Sequence, residues 1–133
     1  MSCKSAAMSD EKYQENLSYI ADPEVRKAYV HMRKLAESSG FSIEFVEHAA
    51  AGTMKLMKPE LGREAYLFSV DRAKRYLTFY VRCHATRRWP DLIEQPLHGG
   101  EVQRDDEQVY FRVTARDEVE RVWSWLKPHL EGL

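Results

Sequence analysis

Two groups of side chains in this sequence carry chemistry. One is a thiol beside an imidazole, Cys83-His84, followed by Arg87, Arg88 and Trp89; the other is a set of tyrosines and arginines at even spacing, Tyr76, Tyr80 and Arg82, with Tyr110 and Arg112 further on. The first group suggests a nucleophile and a base. Adjacent residues of a strand face opposite ways, however, so a strand running through Arg82 separates Cys83 from His84 and turns Cys83 inward as a small buried hydrophobe. His48, His84 and His98 have no spacing typical of a zinc site, and structural histidines are expected there. Asp91 with Glu94 or Glu101 would be a carboxylate pair able to hold Mg2+ in a nuclease. Neither glutamate is followed two residues later by a lysine. Phosphate-binding GxxxxGK[ST], GxGxxG, GxSxG and HExxH patterns are absent. The residues thus assign no catalytic side chain, no metal and no cofactor, and an enzyme built on the segment from Arg82 to Gly100 ranks third among the functions considered.

The second group points to binding. Tyr76, Tyr80 and Arg82 on one strand and Tyr110 and Arg112 on another are expected on one side of the sheet, while Arg87, Arg88 and Trp89 lie just beyond. Flat rings among guanidinium groups hold single-stranded nucleic acid, with bases stacked on rings and arginines on phosphates. The expected ligand-binding residues are therefore Tyr76, Tyr80, Arg82, Arg87, Arg88, Trp89, Tyr110 and Arg112. The expected function is a non-enzymatic binding module for nucleic acid or another polyanion. The same residue types are enriched at protein interfaces, so a protein-interaction module, homodimeric in one version, is the alternative. A plainer reading has the tyrosines half-buried under a helix and Arg82 and Arg112 paired with carboxylates.

Elements must place these residues. The runs Glu64–Val70 and Tyr76–Arg82, joined by the polar Asp71-Arg72-Ala73-Lys74-Arg75, predict a β-hairpin at the centre of the fold. Leu77, Phe79 and Val81 take the face opposite the tyrosines. Before it, a helix capped by Ser9 and a second helix over Pro23–Ser39 are predicted, the latter from Asp22 as cap, Pro23 at the first turn and Gly40 as terminator. His31 and Arg33 fall off its apolar stripe and are expected in solvent. Phe41–Lys58 alternates as a hairpin turning at Ala49-Ala50-Ala51-Gly52, with a helix over Glu44–Met57 as the competing assignment. The segment from Cys83 to Gly100 reads as a long irregular connection with at most one helical turn at Asp91–Gln95. Val109–Val113 is a strand, and Thr114-Ala115-Arg116-Asp117 opens a last helix that Pro128 limits to about Lys127. This passage from aromatic strand to capped helix resembles the last third of the small MmcQ/YjbR-type proteins over about the final 25 residues; a pattern so general implies neither a residue role nor a function.

The expected class is α+β: an antiparallel sheet of about five strands with N-terminal helices and a C-terminal helix on one face. Residues 1–8 are expected to be a disordered tail and 9–133 a single domain. Charge is segregated under a net charge of -1. Residues 55–89 hold 9 Lys and Arg against 3 Asp and Glu, whereas residues 90–133 hold 5 against 10. A basic patch can follow from this, or the two segments can neutralise each other. Cys3 and Cys83 make no disulfide framework, which fits a reducing compartment. No secretory signal or apolar run of roughly 20 residues is present, so a cytoplasmic protein without membrane partners is expected.

Overall fold

The fold, described by a computed structural model over residues 3–47 and 52–133, is an α+β arrangement of five helices and a six-stranded antiparallel sheet. Helices α1 (Cys3–Tyr19) and α2 (Pro23–Ser38) precede strands β1 (Ser42–Glu47), β2 (Gly52–Met57), β3 (Tyr66–Arg72) and β4 (Leu77–Val81). A short 3-10 helix over Pro59–Glu64 joins β2 to β3. After β4 come α3 (Cys83–Arg88), α4 (Asp91–Glu94), β5 (Glu101–Gln103), β6 (Gln108–Val113) and α5 (Arg116–Leu130). The strand order is β1-β2-β3-β4-β6-β5.

Alternation in the strands sorts the sheet into two faces. Phe45, Met54, Val70, Phe79 and Phe111 lie side by side across five strands, and all are buried. Helices α1, α2 and α5 cover this face. Tyr13 of α1 meets Phe45, and Trp123 of α5 meets Phe41, which in turn meets Phe68. Trp123 is 6% exposed and its indole N–H donates to Ser39 Oγ at 3.2 Å, so a large ring is buried without an orphan donor.

The helices start and stop for local reasons. Asp22 accepts from the backbone amides of Glu24 and Val25, and Gly40, with φ of 85°, takes the left-handed conformation that ends α2. α1 begins at Cys3 rather than Ser9, across the helix-forming Ala6-Ala7-Met8. At α5 the cap is displaced by one residue. Ala115 is the N-cap, and the Glu118 carboxylate, three residues on, accepts from Thr114 N and Thr114 Oγ1 at 2.7 Å each. The longer glutamate does the work expected of Asp117. α5 also runs through Pro128, because a proline in the last turn removes only one donor and the turn it disturbs, at Ser124, is exposed to water.

Further expectations are corrected. His31 and Arg33 are not solvated: their side chains are 13% and 20% exposed. α1 and α5 pack on that side of α2, so His31 meets Glu120 while Arg33 stacks 4.2 Å over the Tyr13 ring and pairs with Asp10. Cys83 is not a buried strand residue. The ladder ends at Arg82, whose amide donates to Leu67 O, and Cys83 is the first residue of α3 and only partly buried. The segment is helical because Ala85-Thr86-Arg87-Arg88 lacks a breaker until Pro90, which disfavours helix at Trp89. Finally, β5 had no legible alternation, since it is three residues long and two of them are polar. The hairpin β1–β2 forms instead of the competing helix, and its expected turn at Ala49-Ala50-Ala51 lies outside the described residues, as does His48.

Candidate binding face of the sheet

The face opposite the helices is built by the alternate residues of the same strands. Tyr80 of β4 is paired in register with Tyr110 of β6, and Thr78 with Arg112, so Tyr76, Tyr80, Arg82, Tyr110 and Arg112 share one surface as the alternation predicts. The Tyr80 and Tyr110 ring centroids are 5.7 Å apart. The Arg82 guanidinium lies 4.3 Å from the Tyr80 centroid, and that of Arg112 lies 4.3 Å from Tyr76. The four tyrosines of this face, Tyr66 included, are partly exposed, and Arg112 is exposed.

One contributor escapes simple alternation. By strict period two, Tyr66 belongs with Phe68 in the core. Between Leu56 and Met57 the β2–β3 register shifts, so that Leu56 opposes Phe68 but Met57 opposes Tyr66, leaving Leu67 as the extra residue of a bulge. The shift brings Tyr66 to the face of Lys55. Lys55 Nζ sits 4.6 Å from the Tyr66 centroid, and Arg82 sits 5.5 Å from it on the other side. The result is a continuous track, Tyr110–Tyr80–Arg82–Tyr66–Lys55, crossing β6, β4, β3 and β2. Three strand spacings give it a length of about 14 Å.

Arg82 is fixed from below. Its Nε donates to Ser69 Oγ at 3.0 Å and its Nη1 to Gln108 Oε1 at 2.9 Å. Both partners are neutral. Among the described residues no carboxylate is within ion-pair distance of Lys55, Arg82 or Arg112, so the expected alternative of salt-bridged arginines does not describe this face. Acids are present nearby: Glu101 is the cross-strand partner of Tyr110, Glu44 that of Lys55, and Asp71 accepts from Thr53 Oγ1. Tyr80 ionises less readily than an ordinary phenol, first because it is partly buried and second because Asp71 is near, with Arg82 opposing both. It stays a neutral ring.

Arg87, Arg88 and Trp89 do not join the track. Arg87 makes a two-pronged contact with Glu107, Nε to Oε2 at 2.8 Å and Nη2 to Oε1 at 3.3 Å. This pair raises the Arg87 pKa and lowers that of Glu107. Basic and acidic segments thus do neutralise each other at this point. Arg88 is exposed, with its guanidinium 6.0 Å from the Trp89 ring. Trp89 turns toward the helical layer, edge to face with His129 of α5 at 5.4 Å, and His129 Nε2 meets Asp91 Oδ2 at 2.7 Å. The carboxylate considered for Mg2+ is engaged there, and among the described residues no group of three His, Cys, Asp or Glu side chains is gathered as a metal site. Nor is any described helix long and apolar enough to cross a membrane. No protein-family model, curated protein or solved structure matches the chain.

Proposed function

We propose that the chain is a binding module whose open sheet face holds a short stretch of single-stranded nucleic acid. The observation that carries this reading is the track itself: rings alternate with cations that have no carboxylate partner. Tyr80 and Tyr110 offer adjacent platforms for bases, while Arg82, Arg112 and Lys55 offer charge to the phosphates between them. Its length suits two or three nucleotides, the number commonly stacked on a four-stranded sheet platform. Hydrogen bonds from Arg82 to Ser69 and Gln108 hold its guanidinium before any ligand arrives, which lowers the ordering cost of binding.

A protein interface is the second reading, favoured by Glu44, Asp71 and Glu101 on the same face, which balance its three cations. Titration of a fluorescent oligothymidine at several salt concentrations separates the two. Three phosphate contacts give a slope of about -2 in log K against log salt, at about -0.7 per contact on single strands. Lys55→Gln/Arg82→Gln/Arg112→Gln should weaken binding and flatten that slope, whereas Arg87→Gln/Arg88→Gln should leave both unchanged. Absence of binding by the unmodified protein at low salt ends the nucleic-acid reading and leaves the interface. Binding that survives the triple change places the site elsewhere.

A further inference from the structure

Behind the sheet, α1, α2 and the first residue of α5 enclose a groove of about 570 Å³, within the range of small-molecule sites. Leu17 of α1 and Val30 of α2 give it apolar lining, and Arg26, Lys27, Lys34 and Arg116 supply charge around them. The helix repeat produces this arrangement. Lys27, Val30 and Lys34 are three and four residues apart, so they stand in a row on one side of α2, while Val25, Ala28, Tyr29, Met32 and Ala36 are its buried residues.

The charges share the rim of the groove with little neutralisation. Arg26 Nε donates to Ile20 O at 2.6 Å, which fixes the guanidinium at the end of the groove. Lys27 has Glu24 at 3.3 Å, but both side chains are more than half exposed and such a pair is weak. Glu120 is directed at His31. Among the described residues no carboxylate lines the groove, and none is within ion-pair distance of Arg26, Lys34 or Arg116. Cations gathered in a concave site raise the local potential and attract an anion. The apolar lining adds a second requirement that a bare inorganic ion does not meet.

We infer that this groove is a second binding site, distinct from the sheet face, for a small amphipathic anion: an aromatic ring or short acyl chain bearing a phosphate. The apolar body lies over Leu17 and Val30, and the phosphate is shared by Lys27, Lys34, Arg26 and Arg116, whose N–H groups form charge-assisted hydrogen bonds to it.

Anilinonaphthalene sulfonate has this chemistry and reports its own capture by fluorescence. The native protein should bind it saturably at one site, and phenyl phosphate should displace it. Phenol and inorganic phosphate, each retaining one half of the recognition, should be weaker competitors by about tenfold or more, the factor that corresponds to about 1.4 kcal/mol. Lys27→Gln/Lys34→Gln/Arg116→Gln should weaken the dye by about tenfold, whereas Arg82→Gln/Arg112→Gln should not change it. Should the triple variant fail to fold, amide NMR of the unmodified protein decides: the dye should shift the resonances of Leu17, Val30 and Lys34. Absence of saturable binding, equal competition by phosphate and phenyl phosphate, dye affinity unchanged in the folded triple variant, or shifts confined to the sheet face would each overturn the proposal.

Discussion

Phe79 and Tyr80 are neighbours on one strand and belong to two different surfaces. Phe79 is 0% exposed and stacks on Phe68 at 5.7 Å under the helices; Tyr80 is partly exposed and meets Tyr110 in a tilted contact at the same centroid distance in the open. The rings are equally far apart, and burial is what most separates the two pairs. The apolar face is held by removal of surface from water, which is large and needs no particular partner. The other face is held by ring–ring and ring–cation contacts worth about 0.5–1.5 kcal/mol each. One face makes the fold, and the other is left available.

This contrast breaks most clearly in stability. Phe79→Ala should cost about 3–5 kcal/mol in a urea melt, as large aromatic deletions in cores do, and Tyr80→Ala about 1 kcal/mol. Equal costs would mean that the tyrosine face is a second core.

A smaller effect tests the polar contact buried beneath α1. The hydroxyl of Tyr29, fully buried, accepts from Asn16 Nδ2 at 3.1 Å, and Asn16 Oδ1 accepts from Arg72 Nε at 2.8 Å. Tyr29→Phe leaves that amide donor unpaired and should cost about 1–3 kcal/mol. Burial raises the Tyr29 pKa above its ordinary 10.0, with the hydrogen bond from Asn16 acting against it. Its folded form therefore resists ionisation while the unfolded chain ionises. The stabilisation is complete below the unfolded value and declines as pH rises past it, at up to about 1.4 kcal/mol per pH unit. Tyr29→Phe should flatten the alkaline decline measured by urea midpoints. Tyr80→Phe, at a partly exposed site, should flatten it less.

On the open face the expected loss is in affinity. Tyr80→Ala should remove stacking worth about 1–3 kcal/mol from oligothymidine binding while the salt slope stays constant, because no phosphate contact is lost. A changed slope would make Tyr80 a support for Arg82 rather than a platform. The smallest effect belongs to the pair outside both faces. Arg87 and Glu107 are exposed and meet in water, so Glu107→Gln should leave both the urea midpoint and oligonucleotide affinity unchanged within error.

Most of the sheet was legible because period two is a direct readout of burial on one side. Leu77, Phe79 and Val81 against Tyr76, Tyr80 and Arg82 required nothing beyond their order. Tyr66 was not legible, since a bulge changes phase without a composition signal and only the partner strand reveals it. Helix α3 was hidden for a different reason. Six residues are too few for a helical stripe, and a strand ladder ending at Arg82 leaves no mark in the sequence. Arg87 and Trp89 followed α3 away from the face for that reason, while Asp117 and Glu118 show how a cap is recognised correctly in kind and missed by one residue.

The strand order also bears on time. β1 to β4 pair with their sequence neighbours through short connections, whereas β6 reaches β4 only after the chain from Arg82 to Glu107 has been closed into a loop. Contacts across long loops form later than local ones, because the loop entropy must be met before the pairing rewards it. Lys55, Tyr66, Arg82 and Tyr80 all lie on the early meander, and Tyr110, Arg112 and Gln108 come with the late strand. During refolding the early part of the track is therefore expected to form before the rest, without the Gln108 carbonyl that steadies Arg82. Capacity to bind should lag behind the first appearance of β-structure.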